Sequence, residues 1–515
     1  MLISGGKTKK TALVMIINLF TTIITSVFSL LITQKILTTL GSDYNGVNST
    51  AAQIVTILGL IEGGFTLAAQ VALYKPVAQE DKNRISQLVT YAAKKMRSYG
   101  MWTLAVGVIV SAAYACFVKS GLTYGTILSV MVLAVLGAAY NLGVVSQYRI
   151  LFQVTQTEYK CGYVNIASQF LLYFSICLVL RFTDDIIAVR TAYLLIEVFR
   201  GVGVTILAKK NFRDINYHAC AGGIELKGTK EVFVAKITTL IYNSAPVLFI
   251  STFVGAASAS VYALYLSITN IVLSLLTSVA NAPTHGLGQL IAEGDDERKR
   301  GQLIGVYSEY ELLMAMTNSF LCSVTFVMLT PFISLYTRGV TDISYVDEFY
   351  TIIMVLILLF QILHMPSGIC INVAGKFKAL RNIQIVASVF LLVTLVVGVI
   401  FGGLKGLLIA KLSTAIVLFV IEIVYNYIKV IRCSLMLFFR VMLTTCLPAV
   451  ALCLIESNLI NNYINVDSWG TCMLLGCAIF VANAICFVSL NFVFNRKIVT
   501  RIIHRFIRKP NKNGD

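Results

Sequence analysis

Fourteen apolar runs, each long enough to cross a bilayer as a helix, follow one another along the 515 residues with short polar gaps between them. About twenty apolar residues span the hydrocarbon core. Inside it every backbone N–H and C=O must be satisfied, which leaves helices or closed barrels. A barrel would show alternation over segments of about ten residues; these runs do not alternate. They lie at 11–33, 49–73, 100–117, 125–148, 164–181, 186–208, 232–252, 257–281, 303–328, 349–372, 383–402, 406–427, 437–456 and 468–494. The predicted fold class is therefore an all-α polytopic membrane protein with about fourteen transmembrane helices. Composition agrees, with 57% hydrophobic and 13% charged residues, where a soluble domain carries about 25% charged. The first run is too long for the core of a cleavable leader and lacks a small-residue cleavage site, so it reads as a retained span.

The net charge of +17 does not point to nucleic acid. The basic residues cluster in gaps between spans, without a recognition helix or stacking aromatics. Of 41 Lys and Arg, 31 fall on one side of the membrane by alternation of the runs. They include Lys7, Lys9, Lys10, Lys75, Arg84, Lys209, Arg298, Lys376 and seven in the C-terminal tail. Five fall on the other side: Lys35, Lys119, Arg181, Arg338 and Lys405. Such asymmetry places both termini in the cytoplasm of a bacterial cytoplasmic (inner) membrane. The tail from Arg496 to Lys509 sets Ile498, Ile502, Ile503, Phe506 and Ile507 on one helical face and basic residues on the other, suited to the anionic inner leaflet. Twelve cysteines sit mostly singly in apolar runs, as small buried hydrophobes do. No set of them has zinc spacing, and neither metal nor cofactor is expected.

An internal repeat is visible. Ala78 to Arg84 followed by Gln87-Leu88-Val89 resembles Ala292 to Lys299 followed by Gln302-Leu303-Ile304. Six spans separate the two, so the repeat keeps its orientation, as in two parallel six-helix bundles. The expected domains are a first bundle, 1–208; a cytoplasmic linker, 209–231; a second bundle, 232–427; two additional transmembrane helices, 428–494; and a basic amphipathic tail, 495–515. Two bundles without a soluble domain suggest alternating access, with substrate held between them.

Short motifs add a resemblance. Leu40-Gly41-Ser42-Asp43-Tyr44-Asn45-Gly46-Val47, then Leu58-Gly59-Leu60-Ile61-Glu62-Gly63-Gly64-Phe65 and Tyr74, resemble the start of bacterial polysaccharide transporters. So do Phe253-Val254-Gly255, Val261-Tyr262, Ala292-Glu293-Gly294-Asp295 and Ala374-Gly375-Lys376-Phe377-Lys378. These are the O-antigen and capsule repeat-unit flippases of the multidrug/oligosaccharidyl-lipid/polysaccharide exporter superfamily. Tyr44-Asn45-Gly46 departs from the family, which more often has adjacent aromatic and glycine residues there. The resemblance implies translocation of an undecaprenyl-diphosphate-linked oligosaccharide, with membrane lipids as surroundings and proton or sodium coupling as a possibility. A diphosphate sugar headgroup loses its hydration in hydrocarbon, and a polar cavity with cations would replace it.

Charges within spans are expensive and are the first candidates for function. Arg190, Arg200, Lys236, Lys411 and Arg440 are candidate substrate-binding cations, since guanidinium forks suit phosphate oxygens. The competing reading has Arg190, Lys411 and Arg440 snorkelling to the interface and Arg200 paired with Glu197 three residues earlier. Glu62 and Glu197 are candidate coupling carboxylates; a structural hydrogen bond competes for Glu62, and Glu309, Glu311 and Glu422 are alternatives. His364 reads as a packing residue. No catalytic residue is expected: Walker, His-Glu-x-x-His and Gly-x-Ser-x-Gly motifs are all missing. The rivals are a multidrug exporter of the same superfamily, a lipid II flippase, and a membrane-embedded polysaccharide polymerase or glycosyltransferase. For the last, the outer loops are too short.

Overall fold

Helix occupies every apolar run, and no strand occurs among the described residues. The computed structural model describes residues 5–501 apart from 63, 156, 218, 220–228, 282, 293–296, 465 and 497; for 5–19 and 229–236 it describes the backbone alone. In chain order the first helices are α1 (Gly5–Leu40), α2 (Ser42–Leu58), α3 (Phe65–Ala78), α4 (Lys82–Ala115), α5 (Tyr124–Tyr140), α6 (Ser146–Val154), α7 (Tyr159–Phe182) and α8 (Ile186–Asn211). There follow α9 (Thr229–Phe249), α10 (Ala256–Ala280), α11 (Thr284–Ala292), α12 (Glu297–Tyr336), α13 (Glu348–Leu363) and α14 (Met365–Val373). The last are α15 (Phe377–Tyr425), α16 (Met436–Tyr463) and α17 (Trp469–Phe494). Most of the tail, 502–515, lies outside the described residues, as do 293–296 of the second repeat loop.

Among the described residues, twelve stretches are long and apolar enough to cross a bilayer, and two irregularities reconcile that number with fourteen runs. The first is in α15. Gly403 has φ 53° and ψ −129°, a left-handed-side conformation that an L side chain resists. A Cβ on Gly406 would sit 2.0 Å from the carbonyl oxygen of Gly398, whereas eight residues of straight helix rise about 12 Å. The segment is therefore a hairpin with arms 377–402 and 404–425, matching the runs 383–402 and 406–427. The second irregularity corrects an expectation. The run 49–73 is not one helix: α2 stops at Leu58, a 3-10 turn covers Gly59–Glu62, and Gly64 takes φ 81° before α3.

The repeat is visible in the order of elements. Gly41 (φ 95°) precedes α2 and Gly255 (φ 146°) precedes α10. The starts of α4 and α12 are about 215 residues apart, the spacing of the two similar loops.

The contacts divide the chain into two compact units. The first is Met1–Ala263 with Gly339–Ile343; it takes in α9 and the first two turns of α10, and so runs past the expected limit at 208. Its core gathers Ile36, Val47, Val130, Val135, Ile176 and Val189, all fully buried. At its edge Lys82 Nζ meets Asp214 at 2.7 Å, and that ammonium holds the Asp214 carboxyl below the usual carboxylate range. The second unit is Leu264–Arg338 with Ser344–Asp515. There α13, α16 and α17 pack on α12. Asn483 of α17 donates to both Glu456 oxygens of α16 (2.9 and 3.0 Å) and accepts from Ser323 of α12 (3.2 Å). The last two helices are thus built into this unit. Val386, Val389, Val393, Val397 and Ile400 form an exposed stripe along the first arm of α15, as a lipid-facing surface does.

Candidate functional site

Two places where the backbone leaves the α-helical pattern border one cavity in the first unit. One is the Gly59–Glu62 turn; the other is a π-turn, Asn141–Val145, between α5 and α6. Irregular backbone at membrane depth is tolerated where it is buried in protein or lines a cavity, and π-turns are frequent at functional sites. The cavity has a volume of about 410 Å³ and is walled by α2, α4, α5, α6 and α8. Its floor of Ala52, Val55, Leu133, Ala134 and Leu194 is apolar; its polar groups are Glu62, Thr103, Asn141, Ser146, Arg190, Tyr193 and Glu197.

Helix α8 contributes three of these at Arg190, Tyr193 and Glu197, spaced i, i+3, i+7 on one face. Arg190 is 8% exposed. One terminal nitrogen donates to the Asn48 carbonyl of α2 at 2.8 Å, and the guanidinium lies 5.2 Å from the Tyr193 ring centroid. Its Nε has no protein acceptor. Thr103 of α4 also lines the cavity, and its buried hydroxyl likewise has no protein partner. A buried donor without a partner is costly, and this wall carries two such groups, Arg190 Nε and the Thr103 hydroxyl.

Glu197 is already engaged. Its Oε2 accepts from Arg200 at 2.6 Å and from Asn141 Nδ2 at 3.4 Å. The pair is the one anticipated from its spacing, and it neutralises Arg200, which does not line the cavity. Glu62 lines it from the 3-10 turn. The wall is therefore mixed in charge, with Glu62 and Glu197 lining it beside Arg190; among the described residues, only Arg190 of the five expected cations lines this cavity.

The other sequence candidates lie elsewhere. Lys411 is 2% exposed on the second arm of α15 in the second unit. Arg440 is exposed on α16. Lys236 is on α9, and its side chain lies outside the described residues. Tyr193, Thr103 and Asn48 were missed. The polar stripe on α8 held the signal for Tyr193; nothing local marks Thr103.

No family model matches this chain, and no curated protein matches it. Solved structures do. An inward-facing multidrug resistance MATE family transporter of the MOP superfamily matches with TM-score 0.66 at 12% identity, over 81% of this chain and 98% of that one. The lipid II flippase MurJ in an inward closed conformation matches with TM-score 0.65 at 12% identity, over 95% and 100%. A MOP superfamily transporter from Pyrococcus furiosus, described as having a binding pocket of reverse polarity, matches with TM-score 0.56 at 11% identity, over 82% and 96%. At such identities the likeness is one of fold, and the fold of this chain is the all-α polytopic fold of MATE and MurJ.

Proposed function

We propose that this chain is a transporter of the bacterial cytoplasmic membrane that moves an anionic lipid-linked substrate, a diphosphate-linked oligosaccharide, from the inner to the outer leaflet by alternating access. Surface polysaccharide assembly of the O-antigen or capsule kind is its setting, with both termini cytoplasmic. The observation that carries the reading is the buried guanidinium of Arg190 with an open Nε donor in a polar cavity. A planar guanidinium presents several donors to one phosphate group, and Thr103, Asn141 and Ser146 offer hydrogen bonds to a sugar or to its bridging water. Glu197 is held by Arg200, so Arg190 is not neutralised by it. Glu62 and Glu197 are the carboxylates through which a proton or sodium ion would be coupled. The transporter folds of MATE and MurJ support a carrier over an enzyme.

Glu62 in the same wall favours a second reading, export of a small organic cation. Purified full-length protein separates the two. Farnesyl diphosphate, a short lipid diphosphate, should raise the melting temperature of wild type and not of R190Q. Tetraphenylphosphonium should have little effect. Stabilisation by the cation, abolished in E62Q and retained in R190Q, would reverse the assignment.

A further inference from the structure

The second unit contains a buried polar cluster that shares no residue with the cavity above. Its centre is the pair His364 and Glu422, with Nδ1 and Oε2 2.8 Å apart and side chains 14% and 3% exposed. Beside it Tyr307 and Ser367 hydroxyls lie 3.0 Å apart, and Asn426 Nδ2 donates to both, at 2.9 and 3.3 Å. Tyr427 donates to Glu311, itself 4% exposed. Gly368 makes the room: a Cβ there would meet Glu422 Oε2 at 2.7 Å.

Charge decides what such a cluster holds. The cluster buries two carboxylates, Glu311 and Glu422, and buried charges must be paired or neutralised. Around the cluster, the titratable groups on packed elements are Tyr307, Tyr310 and Glu311 of α12, Cys370 of α14, and Tyr427 and Cys433 beyond α15, with Arg300 of α12 near Cys433. Lys411 lies about three turns back along α15, and the side chain of His285 on α11 is outside the described residues. Protonated His364 balances Glu422 alone, so the cluster needs a further positive charge whenever Glu311 is ionised. Asn426 Oδ1, fully buried, still lacks a donor. A sodium ion would want the Tyr307 and Ser367 oxygens, but the amide N–H groups of Asn426 already point at them. A histidine and open acceptors suit a proton.

We propose that His364, Glu422 and Glu311 form a proton-binding site in the second unit, which holds at least one exchangeable proton on the His364–Glu422 pair. His364 caps the C-terminus of α13, one residue before α14 begins with Pro366 in its first turn. The proton therefore turns the link between the α13–α14 break and the end of α15 into a charge-assisted hydrogen bond; its loss leaves a neutral ring beside an anion. Proton binding is thereby tied to the geometry of that break.

The test follows the ring of His364 by nitrogen-15 NMR in the histidine-labelled full chain in lipid, with H364Q identifying its signal among the four histidines. Titration within about pH 5–8, with a midpoint that moves in both E422Q and E311Q, is the expected result. No titration in wild type, or a midpoint indifferent to E422Q, overturns the site, as does a response to sodium in place of choline as large as the response to acid. If either glutamine variant fails to fold, the wild-type titration and the sodium comparison decide.

Discussion

Arg190 and Arg200 stand on one helix, ten residues apart, and meet opposite fates. Arg200 is clamped by Glu197 at 2.6 Å with both side chains about a quarter to a third exposed; such pairs contribute about 0.3–0.5 kcal/mol. Arg190 is buried with one donor open. A charge-assisted hydrogen bond to a ligand is worth about 1.5–3 kcal/mol, so R190Q should weaken farnesyl diphosphate binding by about 10- to 100-fold. R200Q should change it less than about threefold. Titration calorimetry on the two purified variants checks both, and equal losses would remove Arg190 from its special place. The pairing of Arg200 was legible because i, i+3 partners need only the helix. The position of Arg190 on the cavity wall was not, because a run of apolar residues states depth while the facing neighbours come from α2 and α4, distant in sequence. His364 shows the same limit: it read as a packing residue until the fold brought Glu422, 58 residues away, to its ring.

Elements were legible where apolar length alone decides, and less so where glycine interrupts. The run 49–73 looked continuous in hydropathy, yet Gly59 and Gly64 bracket a turn that moves Glu62 off any helical face and onto a cavity. At Gly403 the outcome was the reverse. A gap of three residues between two runs marked a hairpin, although the backbone there is nearly continuous helix. The hairpin depends on contact between its arms. A Cβ at 406 would overlap the Gly398 carbonyl, whereas one at 402 meets nothing within 4 Å. G406A should therefore destabilise by about 1–3 kcal/mol or more, as overpacking does. G402A should be neutral or gain up to about 1 kcal/mol through the unfolded chain. Melting temperatures in detergent compare the two, and a tolerated G406A would mean that the arms can separate without consequence.

At the scale of the molecule, the hairpin sets on which side of the membrane everything after it lies. Cys116 is exposed in the turn that follows α4, and Cys433 is half-buried in the turn between α15 and α16. Eight candidate spans run between them, from Tyr124–Val154 to Phe377–Ile431. If the last were a single crossing, the number would be even and both cysteines would face the same compartment. Because Gly403 folds it back on itself, the number is odd and they face opposite ones. The bias of Lys and Arg toward the Cys433 side predicts a cytoplasmic position for it. In intact cells a membrane-impermeant maleimide should label a variant retaining only Cys116, and should label one retaining only Cys433 after permeabilisation alone. Labelling of both from outside would return α15 to a single crossing and place the C-terminal helices the other way up. The expected two-bundle repeat would then lose its last pair, since it sets the arms of α15 in the second half against α7 and α8 in the first.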